Sequence, residues 1–351
     1  MGQRAAGSDA AHRTAAATTH GLAAARRAIS GAAHVAVRGG VAHVAVPRAG
    51  LAAAAVAALL VVSGCLTPLT SQPPLRPVPA PARPLVGVFE PDAPRSWQQI
   101  AEFTSATHVK PAIVVYYSLW NNPFSASFAQ TAWDHGAYVL VQLDPNGVAL
   151  AAIAAGASDS YLRSFADAVV AFGHPVILSF GHEMNGTWYS WGEGHTSPAT
   201  FVAAWRHVVR VFRAASAKNV TWLWTVNSIA GASASLRRWW PGAAWVNWTG
   251  VDGYYFRATD SFGSLFGPTI AAVRALSSAP LLIAETAVGT TSDRESQISA
   301  LFGNVGAEHL AGVVWFDEAQ HAGLYHQDWR LENDPSALAA FAAAAAALSG
   351  G

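Results

Sequence analysis

The sequence predicts a (β/α)8 barrel over residues 85–351, and three observations carry that prediction. From Leu85 onward, short apolar runs alternate with longer Ala-rich amphipathic stretches to the end of the chain, the pattern of βα units around a parallel sheet. The runs number eight and are spaced as a closed barrel of about 250 residues requires. The first of them leads into Phe89-Glu90-Pro91-Asp92, with neither the Gly-rich turn of a dinucleotide fold nor a phosphate-binding loop. The expected strands are Leu85–Glu90, Ala112–Ser118, Tyr138–Leu143, Val176–Gly181, Val220–Val226, Gly250–Tyr255, Leu281–Glu285 and Val313–Phe316. A last helix from Pro335 to Leu348, nearly pure alanine over 342–347, is expected to pack against the barrel and close it.

Three segments precede the barrel. Residues 1–49 are rich in Ala, Gly, His and Arg with Asp9 as their acidic residue, and read as a disordered or over-long extension. Residues 50–65 follow Arg48 with an apolar run from Leu51 to Val62, too short for a comfortable membrane span and suited to a signal-peptide core. The run ends at Val62-Ser63-Gly64-Cys65, which resembles the lipobox of bacterial lipoproteins. Cys65 is the single cysteine, so it has no internal disulfide partner, and lipidation there is expected. Residues 66–84 are Pro-rich and are expected to form an extended spacer. This reading places the protein outside the cell, meeting a membrane through the lipid anchor, as a monomer.

Composition narrows the partner. Charged residues make up 12% and the formal net charge is +0, so the basic footprint of a nucleic-acid binder is lacking. The 14 tryptophans suit sugar rings, whose apolar faces pack on flat aromatic surfaces.

In a (β/α)8 barrel the active site forms at the C-terminal ends of the strands. The fourth strand runs into Gly181-His182-Glu183-Met184-Asn185-Gly186 and the seventh into Glu285-Thr286-Ala287. Each sets a carboxylate where an apolar strand meets the mouth. Two carboxylates facing one pocket are what glycosidic cleavage needs: one protonates the leaving oxygen, and the other attacks the anomeric carbon or activates water. Their separation, which decides between retention and inversion, is not a property of the sequence.

His182-Glu183-Met184-Asn185-Gly186, with Trp188 and Trp191-Gly192 after it, resembles the acid/base motif of glycoside hydrolase family 26, mostly endo-β-1,4-mannanases. The likeness extends from Val86 to Trp329 through Tyr116-Tyr117-Ser118, Gly250-Val251-Asp252-Gly253-Tyr254, Ile283-Ala284-Glu285 and Val314-Trp315-Phe316. It implies a retaining mechanism with Glu183 as acid/base and Glu285 as nucleophile. It also implies that His182 contacts the sugar beside the cut, that the Tyr254 hydroxyl orients the nucleophile, and that Trp188 and Trp315 are sugar platforms. Trp191 is expected to flank the groove with them. Thr187-Trp188-Tyr189-Ser190-Trp191 and Thr286-Ala287 depart from the commonest family pattern, which leaves mixed-linkage β-glucan and β-1,3-xylan as alternatives to β-1,4-mannan. A carbohydrate-binding barrel without catalysis is the alternative from another class.

Among other polar residues at strand ends, Gln142 and Asn227 are the stronger candidates for binding sugar hydroxyls. Glu90, Asp92, Asp144, Asp317 and Glu318 could bind sugar or cap helices. His195 and His321 lack metal-like spacing and read as loop residues. Trp239-Trp240 suits either a distal subsite or packing. The chemistry requires no cofactor and no metal.

Overall fold

The computed structural model describes residues 74–228, 233–319 and 327–350; the expected signal core, Cys65 and His321 lie outside them. Eight strands form a closed barrel in sequential order, every neighbouring pair parallel. They are β1 (Leu85–Phe89), β2 (Ile113–Leu119), β3 (Tyr138–Asp144), β4 (Val176–Phe180), β5 (Val220–Asn227), β6 (Trp248–Asp252), β7 (Leu281–Thr286) and β8 (Gly312–Phe316). Most strand residues are buried whichever face they point to, because helices cover the outside and side chains fill the inside. That double burial is why the strands appear as continuous apolar runs in the sequence.

The helices between strands are α1 (Gln98–Thr107), α2 (Ala126–Asp134), α3 (Leu150–Ala154), α4 (Asp159–Phe172), α5 (Pro198–Ala214), α6 (Ser233–Trp239), α7 (Phe262–Leu265), α8 (Gly267–Arg274) and α9 (Arg294–Ala307), and α10 (Pro335–Gly350) follows β8. Helix α5 shows how they form. The Ser197 side chain caps its first turn by accepting from the Thr200 N–H, and Pro198 follows at the first helical position. Phe201, Ala204, Trp205, Val208 and Phe212 then recur at helical spacing and are buried against the barrel. Helix α10 has little amphipathic pattern but carries Phe341, whose ring meets Phe103, Phe302 and Trp315. It is the packing helix that the sequence predicts.

The register settles which residues point inward. Tyr117, Gln142 and Ser179 share one level across β2, β3 and β4, and Thr225 and Gly250 pair across β5 and β6. Gly87 and Gly250 belong to this inner surface, where a Cβ on Gly250 would stand 2.7 Å from Thr225 Oγ1 and 3.2 Å from the Ala284 Cβ. Only a hydrogen fits there.

At the end opposite the mouth the chain departs from expectation. Within the Pro-rich stretch taken as a spacer, Val78 is buried and its N–H donates to Thr221 Oγ1 of β5 at 2.7 Å. The stretch is therefore tied to the barrel at Val78, because an apolar valine and a free backbone donor meet the open ends of the strands.

Candidate active site

The fourth strand ends in two left-handed residues, Gly181 (φ 57°) and Glu183 (φ 53°). Glycine takes this conformation freely, whereas a glutamate does so at a cost that neighbouring contacts must offset. The Glu183 N–H donates to the Thr225 carbonyl of β5 at 3.0 Å, and the Glu183 carbonyl accepts from Gly186 at 2.9 Å. The turn directs the carboxylate into the mouth, where it is 1% exposed. Oε1 accepts from Asn227 Nδ2 and Oε2 from Trp188 Nε1, both at 2.9 Å.

Each residue of the motif supports this arrangement. Asn185 clamps the end of β5 twice, its Nδ2 donating to the Asn227 carbonyl at 2.8 Å and its Oδ1 accepting from the Asn227 N–H at 2.9 Å. That clamp sets the Asn227 side chain against Glu183. Gly186 lies under the Trp188 ring so closely that a Cβ would come within 2.3 Å of it; any larger residue would displace the indole from Glu183. His182 is fully buried, with Nδ1 2.9 Å from Asp144 Oδ1 and Nε2 3.2 Å from the Tyr189 hydroxyl. A proton on Nδ1, donated to Asp144, leaves Nε2 to accept from Tyr189.

Glu285 reaches the mouth by another route. Ala284 faces the inner layer, so strict alternation would turn Glu285 outward. The pairing of β7 shifts on both sides, against β6 between Val251 and Asp252 and against β8 between Ile283 and Thr286 of β7 itself. This β-bulge adds a residue to β7 and re-aims the next side chain inward. Glu285 is 2% exposed, with Oε1 accepting from the Tyr254 hydroxyl and Oε2 from that of Tyr117. Regular β6 pairing ends at Asp252, short of the expected Tyr255, because the same bulge breaks the ladder.

Tyr117 ties the two halves together: it bonds Glu285 while its ring lies 5.6 Å from His182, the neighbour of Glu183. Beside them opens a cleft of about 450 Å³ lined by Pro94, Tyr117, Asp144, Trp188, Tyr189 and Phe316. Phe316 is backed by Phe89, stacked on it at 4.6 Å, and by Tyr254, whose ring lies 5.8 Å from it and 4.6 Å from Trp329.

The family model for glycosyl hydrolase family 26 matches residues 107–333. The chain belongs to glycosyl hydrolase family 26. Endoglucanase H of Acetivibrio thermocellus is 29% identical over 259 residues, which is 69% of this chain and 28% of that protein; the chain thus spans about a quarter of that relative's length. Among solved structures, a double mutant of the Cellulomonas fimi endo-β-1,4-mannanase superposes with a TM-score of 0.62 at 17% identity, covering 75% of this chain and 70% of that one. The catalytic domain of a Bacillus sp. JAMB-750 family 26 endo-β-1,4-mannanase does so with 0.59 at 16%, covering 76% and 86%. At such identities the structures share the fold.

Within this family 26 barrel, several residues expected to touch sugar do other work. Trp315 is 1% exposed and faces away from the mouth, its ring against Phe341 of α10 and its Nε1 donating to the Trp329 carbonyl. Alternation along β8 gives the inward position to Phe316 instead, which the sequence reading passed over. Trp191 is also 1% exposed, stacked on Tyr189 at 4.3 Å with its Nε1 on the His182 carbonyl; it props the loop from beneath. Gln142 is fully buried in the barrel interior, one pleat below Asp144, with no hydrogen-bond partner for its amide among the described residues. Asn227 holds Glu183. Trp188 lines the cleft and donates to Glu183, and Tyr254 holds Glu285 from the segment after β6. Trp239 and Trp240 pack on Phe201 and Trp224, and His195 sits in an exposed loop on the Thr187 carbonyl.

A second carboxyl pair must be weighed against the first. Glu90 and Asp317, at the ends of β1 and β8, are 5% and 4% exposed and hydrogen-bonded to each other. Burial pushes both above the ordinary carboxylate range; the next cause is the charge of Asp317 for Glu90 and of Glu332 for Asp317. Asp317 also accepts from the Leu331 N–H at 2.9 Å. Carboxyls in direct contact leave no room for a glycosidic bond between them, so this pair is a buried fastener of the β1–β8 seam. Among the described residues no cluster of His, Cys, Asp or Glu could hold a metal ion.

Proposed function

We propose that the chain is a glycoside hydrolase that cleaves β-linked polysaccharide with retention, Glu285 attacking the anomeric carbon and Glu183 serving as acid and then base. One observation carries this reading: two buried carboxylates on opposite strands of one mouth are each fixed by donors from two other residues, and Tyr117 joins their supports. In the first step the bond from Glu285 to the anomeric carbon forms as the glycosidic bond breaks, and the proton of Glu183 goes to the leaving oxygen. In the second, water adds to the anomeric carbon, gives its proton to Glu183 and releases Glu285.

β-1,4-Mannan is the first substrate candidate, on the Glu183 motif; mixed-linkage β-glucan is the second, favoured by the likeness to an endoglucanase. Reducing-sugar release from galactomannan, glucomannan, mixed-linkage β-glucan and β-1,3-xylan tests this, with Glu285→Ala as control. Release from one polymer that falls at least about a thousandfold in the variant is expected. Binding without release from any of them would make the barrel a glycan receptor.

The tetrapeptide ending at Cys65 supports export and anchoring by lipid. Cys65→Ala should then move the protein from the membrane fraction to the soluble one; unchanged membrane retention would remove the anchor from the account.

A further inference from the structure

In this barrel each helix runs back from the mouth, so the last helical turns and the loops into the next strands form the far end. Both lysines of the chain, Lys110 and Lys218, are exposed at that end, just before β2 and β5. Asp134 is exposed there as well, just before β3, so the cationic sector is the one around β5 and β6. Beside Lys218, the guanidinium groups of Arg206, Arg210 and Arg213 on α5 lie 5.8, 5.9 and 5.1 Å from the ring centre of Trp245. Arg206 donates to the Pro241 carbonyl and Arg213 to the Ala244 carbonyl, which draws the Trp245 loop onto the helix. That structural role accounts for two of the arginines. Arg210 Nη2 lies 3.5 Å from His207 Nδ1, whose Nε2 is paired with Asp159 at 2.6 Å; Lys218 has no such partner among the described residues, and no Asp or Glu occurs between Glu193 and Asp252.

Like charges gathered on one indole repel unless an anion joins them, and none of Arg206, Arg210, Arg213 and Lys218 makes an ion pair with a described carboxylate. At the same end Glu308 is already paired with Arg274 at 2.6 Å. Two further observations bear on the partner. Trp245 is half-buried between the arginines, the combination of aromatic ring and cation that suits the headgroup layer of a bilayer. The chain also enters the barrel here, through the bond from Val78 to Thr221 on β5, the strand that Lys218 precedes.

We propose that the cationic end around Trp245 docks on the anionic phospholipid headgroups of a membrane, holding the catalytic mouth away from the bilayer. The surface stands whether or not Cys65 carries lipid, and its assay reads no turnover, so the hydrolase reading and this one can fail separately.

The test is co-sedimentation of the full chain with vesicles of phosphatidylcholine alone and of phosphatidylcholine mixed with phosphatidylglycerol. The apolar run 51–62 contributes alike to both vesicle types. Wild type is expected to prefer the phosphatidylglycerol vesicles at least about tenfold, with the preference shrinking at high salt. R206Q/R210Q/R213Q should abolish it. R210Q/K218Q, which touches neither carbonyl bond of the Trp245 loop, should reduce it at least about tenfold at unchanged melting temperature. Equal binding to both vesicle types, or a preference that survives in R210Q/K218Q, overturns the proposal. Binding of polyglutamate in solution with no preference between vesicles also overturns it and makes the partner a soluble polyanion.

Discussion

At Glu183 a left-handed backbone costs about 1–2 kcal/mol, and the hydrogen bonds from its N–H to Thr225 and from Gly186 to its carbonyl hold it there. The same logic decides which aromatic residues face sugar. Trp315→Phe removes the N–H that Trp329 accepts and thins the contact with Phe341, so we expect a loss of about 1–3 kcal/mol of stability with KM unchanged. Phe316→Ala opens the wall beside Tyr254 and Phe89, and kcat/KM should fall about tenfold. Urea melts and steady-state kinetics on both variants check this; a raised KM in Trp315→Phe at wild-type stability would return that residue to the cleft. The sequence made Glu183, His182 and Trp188 legible because each sits in one contiguous motif. It did not reveal that Tyr117 holds Glu285, since that contact joins residues 168 positions apart. Nor could it separate Trp315 from Phe316, neighbours whose facing depends on the register of β8.

Strands and helices were easier to read than the irregularities between them. Continuous apolar runs marked all eight strands, and the boundaries shifted most at β6, where the bulge in β7 interrupts pairing. A bulge is a relation between strands, so no pattern within Leu281–Thr286 announces it. The seam between β1 and β8 was equally hidden, because Glu90 and Asp317 looked like solitary polar residues at strand ends. Their pairing has a consequence for stability. Both carboxyls are held above the ordinary range by burial, so the folded chain keeps protons that the unfolded chain releases near pH 4. Stability from this pair is therefore fully present in acid and declines as pH rises past that value through the raised folded values. Glu90→Gln retains the hydrogen bond with a neutral side chain and should flatten that decline, measured as melting temperature from pH 4 to 9. A slope as steep in the variant as in wild type would remove the pair from the account.

On the scale of the whole molecule, the two ends of the barrel divide the work. The mouth gathers Glu183, Glu285, Asp144 and Asp252 at strand ends, while the opposite end receives the N-terminal segment at Val78 and carries the cations around Trp245. The alternation of strand and helix gave this polarity in advance, since it fixes which strand ends form the mouth; the attachment at Val78 was not legible, because a Pro-rich composition looks the same free or bound. The central claim is that Glu285 forms a covalent bond to sugar. Incubation with an activated 2-deoxy-2-fluoro glycoside of the preferred sugar, followed by mass spectrometry of the digested protein, tests it directly, because the fluorine slows release of the glycosyl-enzyme. The account predicts one adduct per chain, on the peptide containing Glu285, with parallel loss of activity; an adduct on another carboxylate, or inverted product from an enzyme that the reagent leaves unlabelled, would contradict it.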